Sequence, residues 1–513
     1  MQTTDNASTL LDANLDAGRE GSVAVITADD ERWTFRQLHA AACRVARRLL
    51  NMGVRREERI LLVLDDTPAF PAAFLGAMRI GAVPIPVNFL ARPTDFGYFL
   101  DDSYAVAAIV DTAFLGSVGP QLEQRPHVRR IIANGEAPDG AESLDEWMTD
   151  GPDDVGPVTT HPDDPAFWLY SSGSTGPPKA VIHRHADIGA TCRLYAWPTL
   201  GIGPEDTVFS STKMFHAYGL GNNLTFPLSV GATSVYLTGR PTPDRLLERV
   251  ASHHPTLYFS VPALYNAVLA HPDFDHTDWS SVRLGISAAE PLAPEIWNRF
   301  HARTGIEILD GLGSTEMLHI YCSNRAGRVK AGTSGTAVEG YELQILDPEG
   351  QVVEGNEPGE LWVRGPSALT GYWHQIERTR DKMSGGWFAT GDRYHRDEDG
   401  YYVYEGRVDD MMKVGGLWVS PIEIENRLME HPAVSEAAVA GVVIEDNSRI
   451  KAWVILAQGQ AGGDDLVGDL QSWCKETLLR YQFPHVVDFV EDFPRTPTGK
   501  IQRFKLRETA QSG

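Results

Sequence analysis

The sequence predicts an α/β protein. It reads as a large N-terminal domain of two parallel-sheet α/β subdomains plus a β-barrel-like piece, then a small, mobile α+β C-terminal domain. Three observations carry this. An apolar run at 60–64, helical spacing over 70–80 closed by Gly81, and a second apolar run at 82–87 make a strand–helix–strand unit with short links, which calls for a buried parallel sheet. The same alternation returns at 208–211, 234–237 and 257–261, punctuated by Gly231 and Pro255. The texture then changes near 330, to short strands between turn-rich strings, and again near 410, to a helix–strand–helix run. The expected domains are 1–408 and 409–513, with the hinge at Asp409.

In order, residues 1–30 are expected to be a partly ordered lead-in. Thr34 and Gln37 have the spacing of a capping box, and Leu38, Ala41, Val45 and Leu49 follow at helical spacing up to a stop at Gly53. After the first strand–helix–strand unit, residues 135–165 are rich in Gly, Pro, Asp and Glu and read as a solvated connector. Strands are expected at 341–346, 351–353 and 360–364, separated by Asp347-Pro348-Glu349-Gly350 and Asn356-Glu357-Pro358-Gly359. The small domain should hold a helix over 422–429, a strand over 433–443, a helix over 466–479 and a basic tail.

Composition narrows the function. The chain is 42% hydrophobic and 22% charged, ordinary for a globular protein with a large core. A net charge of −24 argues against nucleic acid or an acidic membrane surface as a partner. Cys43, Cys192, Cys322 and Cys474 are scattered without a C-x-x-C, which suits reduced packing residues in a cytoplasmic protein. No apolar run approaches membrane-spanning length, and 1–9 is polar rather than a basic-then-apolar leader.

The chemistry centres on one loop. An apolar run at 167–170 leads into Ser171, Ser172, Gly173, Ser174, Thr175, Gly176 and Pro177, then Pro178, Lys179 and a second apolar run at 180–182. Strand, hydroxyl-rich glycine loop, lysine and strand make a phosphate cradle: glycines let backbone N–H groups approach an anion, hydroxyls donate further hydrogen bonds, and the lysine adds positive charge. It is not a P-loop, because Pro178 and Ala180 stand where that pattern needs Gly and Ser or Thr. Further on, Lys213-Met214-Phe215-His216-Ala217-Tyr218-Gly219 mixes aromatic rings, a histidine and glycine as the wall of a pocket for a flat organic ligand would. Asp310-Gly311-Leu312-Gly313-Ser314-Thr315-Glu316 puts bare backbone beside Thr315, able to donate to a phosphate, and Glu316, a hard oxygen ligand suited to Mg²⁺. A carboxylate next to a triphosphate needs such a cation between them.

Taken together, these strings resemble the acyl-adenylate-forming enzymes: acyl- and aryl-CoA ligases, peptide-synthetase adenylation domains and luciferases. The loop at 171–179 is similar to their phosphate loop, with Ala180 for the usual Gly. Ser287-Ala288-Ala289-Glu290 resembles their S-A-G-E segment, with Ala289 for the usual Gly and Glu290 expected to start a helix. Thr390-Gly391-Asp392, Gly406-Arg407-Val408-Asp409-Asp410 and Lys413-Val414-Gly415-Gly416 match in order and spacing, as does the tail Pro494-Arg495-Thr496-Pro497-Thr498-Gly499-Lys500-Ile501. The strings around 215–222 and 310–319 are closest to the benzoate-CoA ligase forms.

The resemblance implies ATP, Mg²⁺ and coenzyme A. Thr175, Lys179 and Lys500 would be catalytic, and Asp392 and Arg407 would hold ribose and phosphate. Asp310, Gly311, Leu312 and Thr315 would face the nucleotide, Glu316 would hold the metal, and Gly415 and Gly416 would line the pantetheine tunnel. His216, Ala217, Tyr218, Gly219, Ser287, Ala288, Gly313 and His319 would enclose a small aromatic acid, either benzoate or a small substituted benzoate such as 2-aminobenzoate. Two rivals stay open at this point: the same adenylation with an acyl carrier protein as acceptor, and a silent nucleotide-binding regulator, against which Lys179, Glu316, Asp392 and Lys500 all stand. Monomer and homodimer are both compatible.

Overall fold

The computed structural model describes residues 6–171, 177–353, 355–414, 417–444, 447–479, 481–495 and 501–511. The expected capping box is present: Thr34 accepts from the Gln37 amide, Gln37 returns the bond, and the helix Phe35–Asn51 buries Leu38, Ala41, Val45 and Leu49. Strand Arg59–Val63 pairs in parallel with Val83–Pro86 and, on its other side, with Ala107–Asp111. They belong to an all-parallel five-stranded sheet. A second, nine-stranded sheet has Thr207–Ser210, Leu257–Ser260, Leu284–Ser287 and Ile308–Gly313 as parallel neighbours.

Helix Ala69–Arg79 is buried over its whole length, and the surrounding core joins the two sheets into one body. Inner strands such as Arg59–Val63 and Ala107–Asp111 are buried almost throughout, which is why they read as apolar runs rather than as alternation.

The antiparallel piece is a five-stranded sheet including Glu342–Leu346, Gly359–Arg364, Trp387–Arg396 and Tyr402–Arg407. The expected strand at 351–353 reduces to a single bridge between Leu346 and Val352; Val352 is exposed and only Val353 packs against the core. In the small domain, helices Pro421–Met429 and Asp464–Thr477 cover the sheet of Val434–Ile444, Asn447–Leu456 and Val486–Phe489.

Two expectations are corrected. From Asn6 on, the lead-in is integral. Asn6 and Asn14 are buried, Asn14 Nδ2 donates to the Leu228 carbonyl at 2.6 Å, and Val23–Ile26 forms a strand of the nine-stranded sheet. The connector is only partly solvated. Leu144, Trp147 and Met148, spaced for one helical face, bury the helix Leu144–Thr149 against Phe35–Asn51. Its acidic end is held by Arg44, Arg47 and Arg48 through Asp150, Asp153 and Asp154. The cysteines are all free and buried, and no helix among the described residues is long and apolar enough to cross a membrane.

Candidate active site

The phosphate loop is bracketed by two paired strands. Strand Pro165–Ser171 runs antiparallel to Lys179–Arg184, with Ser171 directly opposite Lys179, so loop and lysine are anchored at one register position. Ser172, Gly173, Ser174, Thr175 and Gly176 lie outside the described residues. His183, on the strand Lys179–Arg184, is buried; its ring nitrogens lie 3.0 Å from Asp187 Oδ2 and 2.7 Å from the Thr315 carbonyl, which ties that strand to the turn Thr315–Met317. A third strand, Gly371–Tyr372, adds beside Val181 and Ile182. The Tyr372 hydroxyl donates to Glu316 Oε1 at 2.9 Å, and Lys179 Nζ lies 5.9 Å from the Tyr372 ring. The Glu316 carbonyl accepts from the Leu369 amide at 2.8 Å. Glu316 is thus placed from two separate stretches of chain, the strand Lys179–Arg184 and 369–372.

The electrostatics suit an anion. Burial pushes the Lys179 ammonium below its ordinary value, Arg378 adds to that, and Glu316 opposes it, with Lys382 and Arg407 contributing further repulsion. Cations drawn together this way find their favourable partner in a polyanion. Asp392 and Arg407 sit opposite each other on paired strands, and the guanidinium donates to Asp392 Oδ1 at 2.9 Å. The fifteen-residue spacing read in the sequence is therefore one turn of an antiparallel pair. Sequence reasoning missed Tyr372, Arg378 and Lys382. The available signal was a Gly-Tyr-Trp run followed by the basic helix Ile376–Lys382.

A cleft of about 140 Å³ opens at the ends of Leu284–Ser287 and Ile308–Gly313, where ligands bind in open α/β sheets. Its large-domain wall includes Ala289, Glu290, Asp310, Gly311, Leu312, Gly313 and Asp392; Glu425, Glu436, Arg495 and Arg503 come from the small domain. Asp310 is buried. Its Oδ2 accepts from the Leu292 amide at 3.2 Å, while Oδ1 has no hydrogen-bond partner among the described residues. Burial raises its carboxyl to about 8, so it is protonated near neutrality. Gly313 is required by close approach: a Cβ there would lie 2.7 Å from the His319 carbonyl oxygen.

Glu290 does not start a helix, contrary to the sequence expectation. The following helix is Pro294–Thr304 with Ala293 as its cap, and the Glu290 carboxylate instead accepts from the Ile501 amide at 2.9 Å. Ala289 adopts φ +78°, a region that favours glycine.

Behind this cleft lies a second cluster. His216, Ala217, Tyr218, Gly219, Ser287, Ala288 and His319 do not line the cleft itself, but Gly313 backs onto His319 and joins the two. Lys213 anchors the segment through Asp65 at 2.8 Å, and the Met214 amide donates to Asp66 at 3.1 Å. These two carboxylates follow the first parallel strand and were not singled out from sequence; an Asp-Asp pair after an apolar run was the signal. At Gly219 a Cβ would lie 2.1 Å from the Lys213 carbonyl oxygen, so the chain can double back there only on glycine.

The Tyr218 hydroxyl donates to the Ile286 carbonyl at 3.2 Å, and its ring packs against His319 at 5.5 Å between centroids. Burial lowers His319 to about 3 and His216 to about 4, so both imidazoles are neutral. His319 Nε2 is 3.2 Å from Asn222 Oδ1. His216 Nε2 and Ser287 Oγ are buried without a hydrogen-bond partner among the described residues.

Lys500, Gly415 and Gly416 lie outside the described residues. Asp409 falls in the turn Val408–Asp410, and its side chain is likewise not described. Among the described residues no group of three or more His, Cys, Asp or Glu side chains gathers to hold a metal. Glu316 offers a single carboxylate, which fits Mg²⁺ bound chiefly through phosphate oxygens and water.

Residues 13–373 match the model of the AMP-binding enzyme family, and residues 423–500 match that of the AMP-binding enzyme C-terminal domain. Benzoate–CoA ligase of Thauera aromatica is 44% identical over 504 residues, 98% of this chain and 95% of its own length. The structure of a benzoate CoA ligase from Burkholderia xenovorans LB400 superposes with a TM-score of 0.92 at 42% identity, covering 98% of this chain and 99% of that one. The anthranilate CoA ligase AuaEII, solved in complex with anthranoyl-AMP, gives a TM-score of 0.96 at 37% identity, covering 100% and 98%.

Proposed function

This chain belongs to the AMP-binding enzyme family and is an ATP-dependent, AMP-forming aryl-CoA ligase, and we propose that its acid is benzoate or a small benzoate with a polar ring substituent such as 2-aminobenzoate. In the first step a carboxylate oxygen of the acid attacks the α-phosphorus of ATP in line. The bond to the bridging oxygen of pyrophosphate breaks, giving aryl-AMP. The phosphate loop with Thr175, together with Lys179, Arg378 and Lys382, holds the β- and γ-phosphates, and Lys500 neutralises charge at the α-phosphate. Glu316 would hold Mg²⁺, which when bound would neutralise charge between the carboxylate and the phosphates.

Asp392 and Arg407 take the ribose, and the backbone at 310–313 takes the base. The small domain then turns about Asp409. The CoA thiolate enters past Gly415 and Gly416, attacks the acyl carbon, and AMP leaves. The observation that carries this reading is the convergence of Lys179, Arg378, Lys382 and Arg407 around the Tyr372–Glu316 pair, next to the cleft at Asp310–Gly313. A cytoplasmic location is part of this reading, supported by ATP and coenzyme A as its substrates.

His216 supports the polar substituent. A neutral imidazole with an unpartnered buried Nε2 has a hydrogen bond left to make, and leaving it unmade costs about 1–3 kcal/mol. The test is mass spectrometry of the thioesters formed with ATP, Mg²⁺, CoA and an equimolar mixture of benzoate, 2-aminobenzoate, 2- and 4-hydroxybenzoate and a medium-chain fatty acid. One dominant aryl-CoA is expected, and His216→Phe should shift the kcat/KM ratio toward benzoate. An unchanged ratio removes His216 from the selection. Aryl-AMP and pyrophosphate without any thioester would point to a carrier protein as acceptor.

A further inference from the structure

Glu290 makes a contact that the reaction as described does not use. Its carboxylate accepts from the backbone N–H of Ile501, 211 positions away and on the other domain. Ile501 pairs across an antiparallel bridge with Arg495, and the Gln502 amide donates to the Pro494 carbonyl at 2.7 Å, so 494–495 and 501–502 lie side by side. The small domain holds these paired ends firmly. Arg495 pairs with Glu436, and Arg503, just beyond Gln502, grips Glu425 with Nε and Nη2 at 2.6–3.0 Å. Any motion of the small domain therefore carries Ile501 along, and Glu290 is where it meets the large domain.

The large-domain side is preset as well. Glu290 follows Ala289, whose φ of +78° is adopted by a non-glycine residue only when the surroundings impose it. The turn leaves the strand Leu284–Ser287 at the cleft and is held at Leu292, whose amide donates to Asp310. Rigid structure thus stands on both sides of one charge-assisted hydrogen bond across the cleft.

We propose that Glu290 is a positioning residue for adenylation, a latch that registers Ile501, the next residue in sequence after Lys500, at the nucleotide cleft and must be released before the thioester step. This rests on the two-step reading above. The hydrogen bond exists in one domain orientation only. It stabilises the arrangement in which the residue before Ile501 can reach the α-phosphate, and it contributes nothing once the small domain has turned. Nothing covalent changes at Glu290.

The test separates the half-reactions in Glu290→Ala and Glu290→Gln. Adenylation is followed as acid-dependent ATP–pyrophosphate exchange. The second step is followed as benzoyl-CoA formation from supplied benzoyl-AMP and CoA. Glu290→Ala is expected to lower kcat for exchange roughly tenfold, with the KM for ATP changed less than about threefold, as for loss of one hydrogen bond to a charged acceptor. The thioester kcat at saturating benzoyl-AMP should hold or rise. Glu290→Gln keeps an acceptor oxygen and should recover most of the exchange rate. Equal losses in both half-reactions, or an alanine variant that exchanges as wild type does, overturn the latch. Failure of the wild-type protein in both half-reactions would instead overturn the ligase reading.

Discussion

Ala289 is the residue where local preference and function pull apart. At φ +78° an L-residue with a Cβ is disfavoured by about 1–2 kcal/mol relative to glycine. Ala289→Gly should therefore stabilise the fold, less the roughly 0.5–1 kcal/mol of unfolded-chain entropy that glycine adds back. A denaturant midpoint that rises slightly is the expected result, and one that falls would mean the turn is held without strain.

Asp310 is a second such residue, and here pH is the probe. Its folded value of about 8 stands above the ordinary 3.8, so the folded state holds a proton that the unfolded state releases. Its contribution to stability falls as pH rises from near 4 to near 8. Asp310→Asn is neutral throughout. Wild type and variant should melt most alike at about pH 4 and separate progressively up to about pH 8.5, with wild type the less stable there. Parallel melting curves at both values would show that the carboxyl does not titrate in this window.

At the scale of elements, the three-stranded sheet of Pro165–Ser171, Lys179–Arg184 and Gly371–Tyr372 organises the phosphate end. Two of its strands were legible from the loop they bracket. The third is two residues long, too short to show a period, and its partner lies nearly two hundred positions away. Yet it carries Tyr372, whose hydroxyl fixes the Glu316 carboxylate. If Glu316 holds the magnesium, Tyr372→Phe should raise the Mg²⁺ concentration needed for half-maximal pyrophosphate exchange by roughly tenfold, as loss of a ligand's outer hydrogen bond does. A loss of rate with an unchanged Mg²⁺ requirement would assign Tyr372 to packing alone. The helix Leu144–Thr149 makes the companion point. Its apolar stripe was present in an acidic stretch, and composition outweighed spacing in the reading of 135–165.

Across the whole molecule, the cleft wall and the stability of the small domain depend on the same residues. Arg503 and Glu425 are largely buried and paired through both carboxylate oxygens, and the Val439 amide also donates to Glu425 at 2.7 Å. Removing one partner leaves an uncompensated charge, so Arg503→Met should destabilise the small domain by about 3–5 kcal/mol, and Arg503→Met with Glu425→Gln by clearly less. Calorimetry should show an early transition in the single variant that the double variant largely restores. Equal losses in both would place the cost in packing.

The sequence by itself determined the fold class, the two parallel sheets, the capping box at Thr34 and Gln37, and the order of the chemical strings from the phosphate loop to the tail. Each is written locally: as a period, as a cap spacing, or as a run of glycines and hydroxyls whose chemistry does not depend on distant neighbours. The tertiary structure decided what depends on partners far along the chain. It put Arg407 across from Asp392, Tyr372 on Glu316 and Lys213 on Asp65. It also turned Glu290 from an expected helix start into a contact with Ile501. A side chain's burial and charge state come from what packs around it, and for Asp310, His216 and Glu290 those neighbours come from other strands, helices and the second domain.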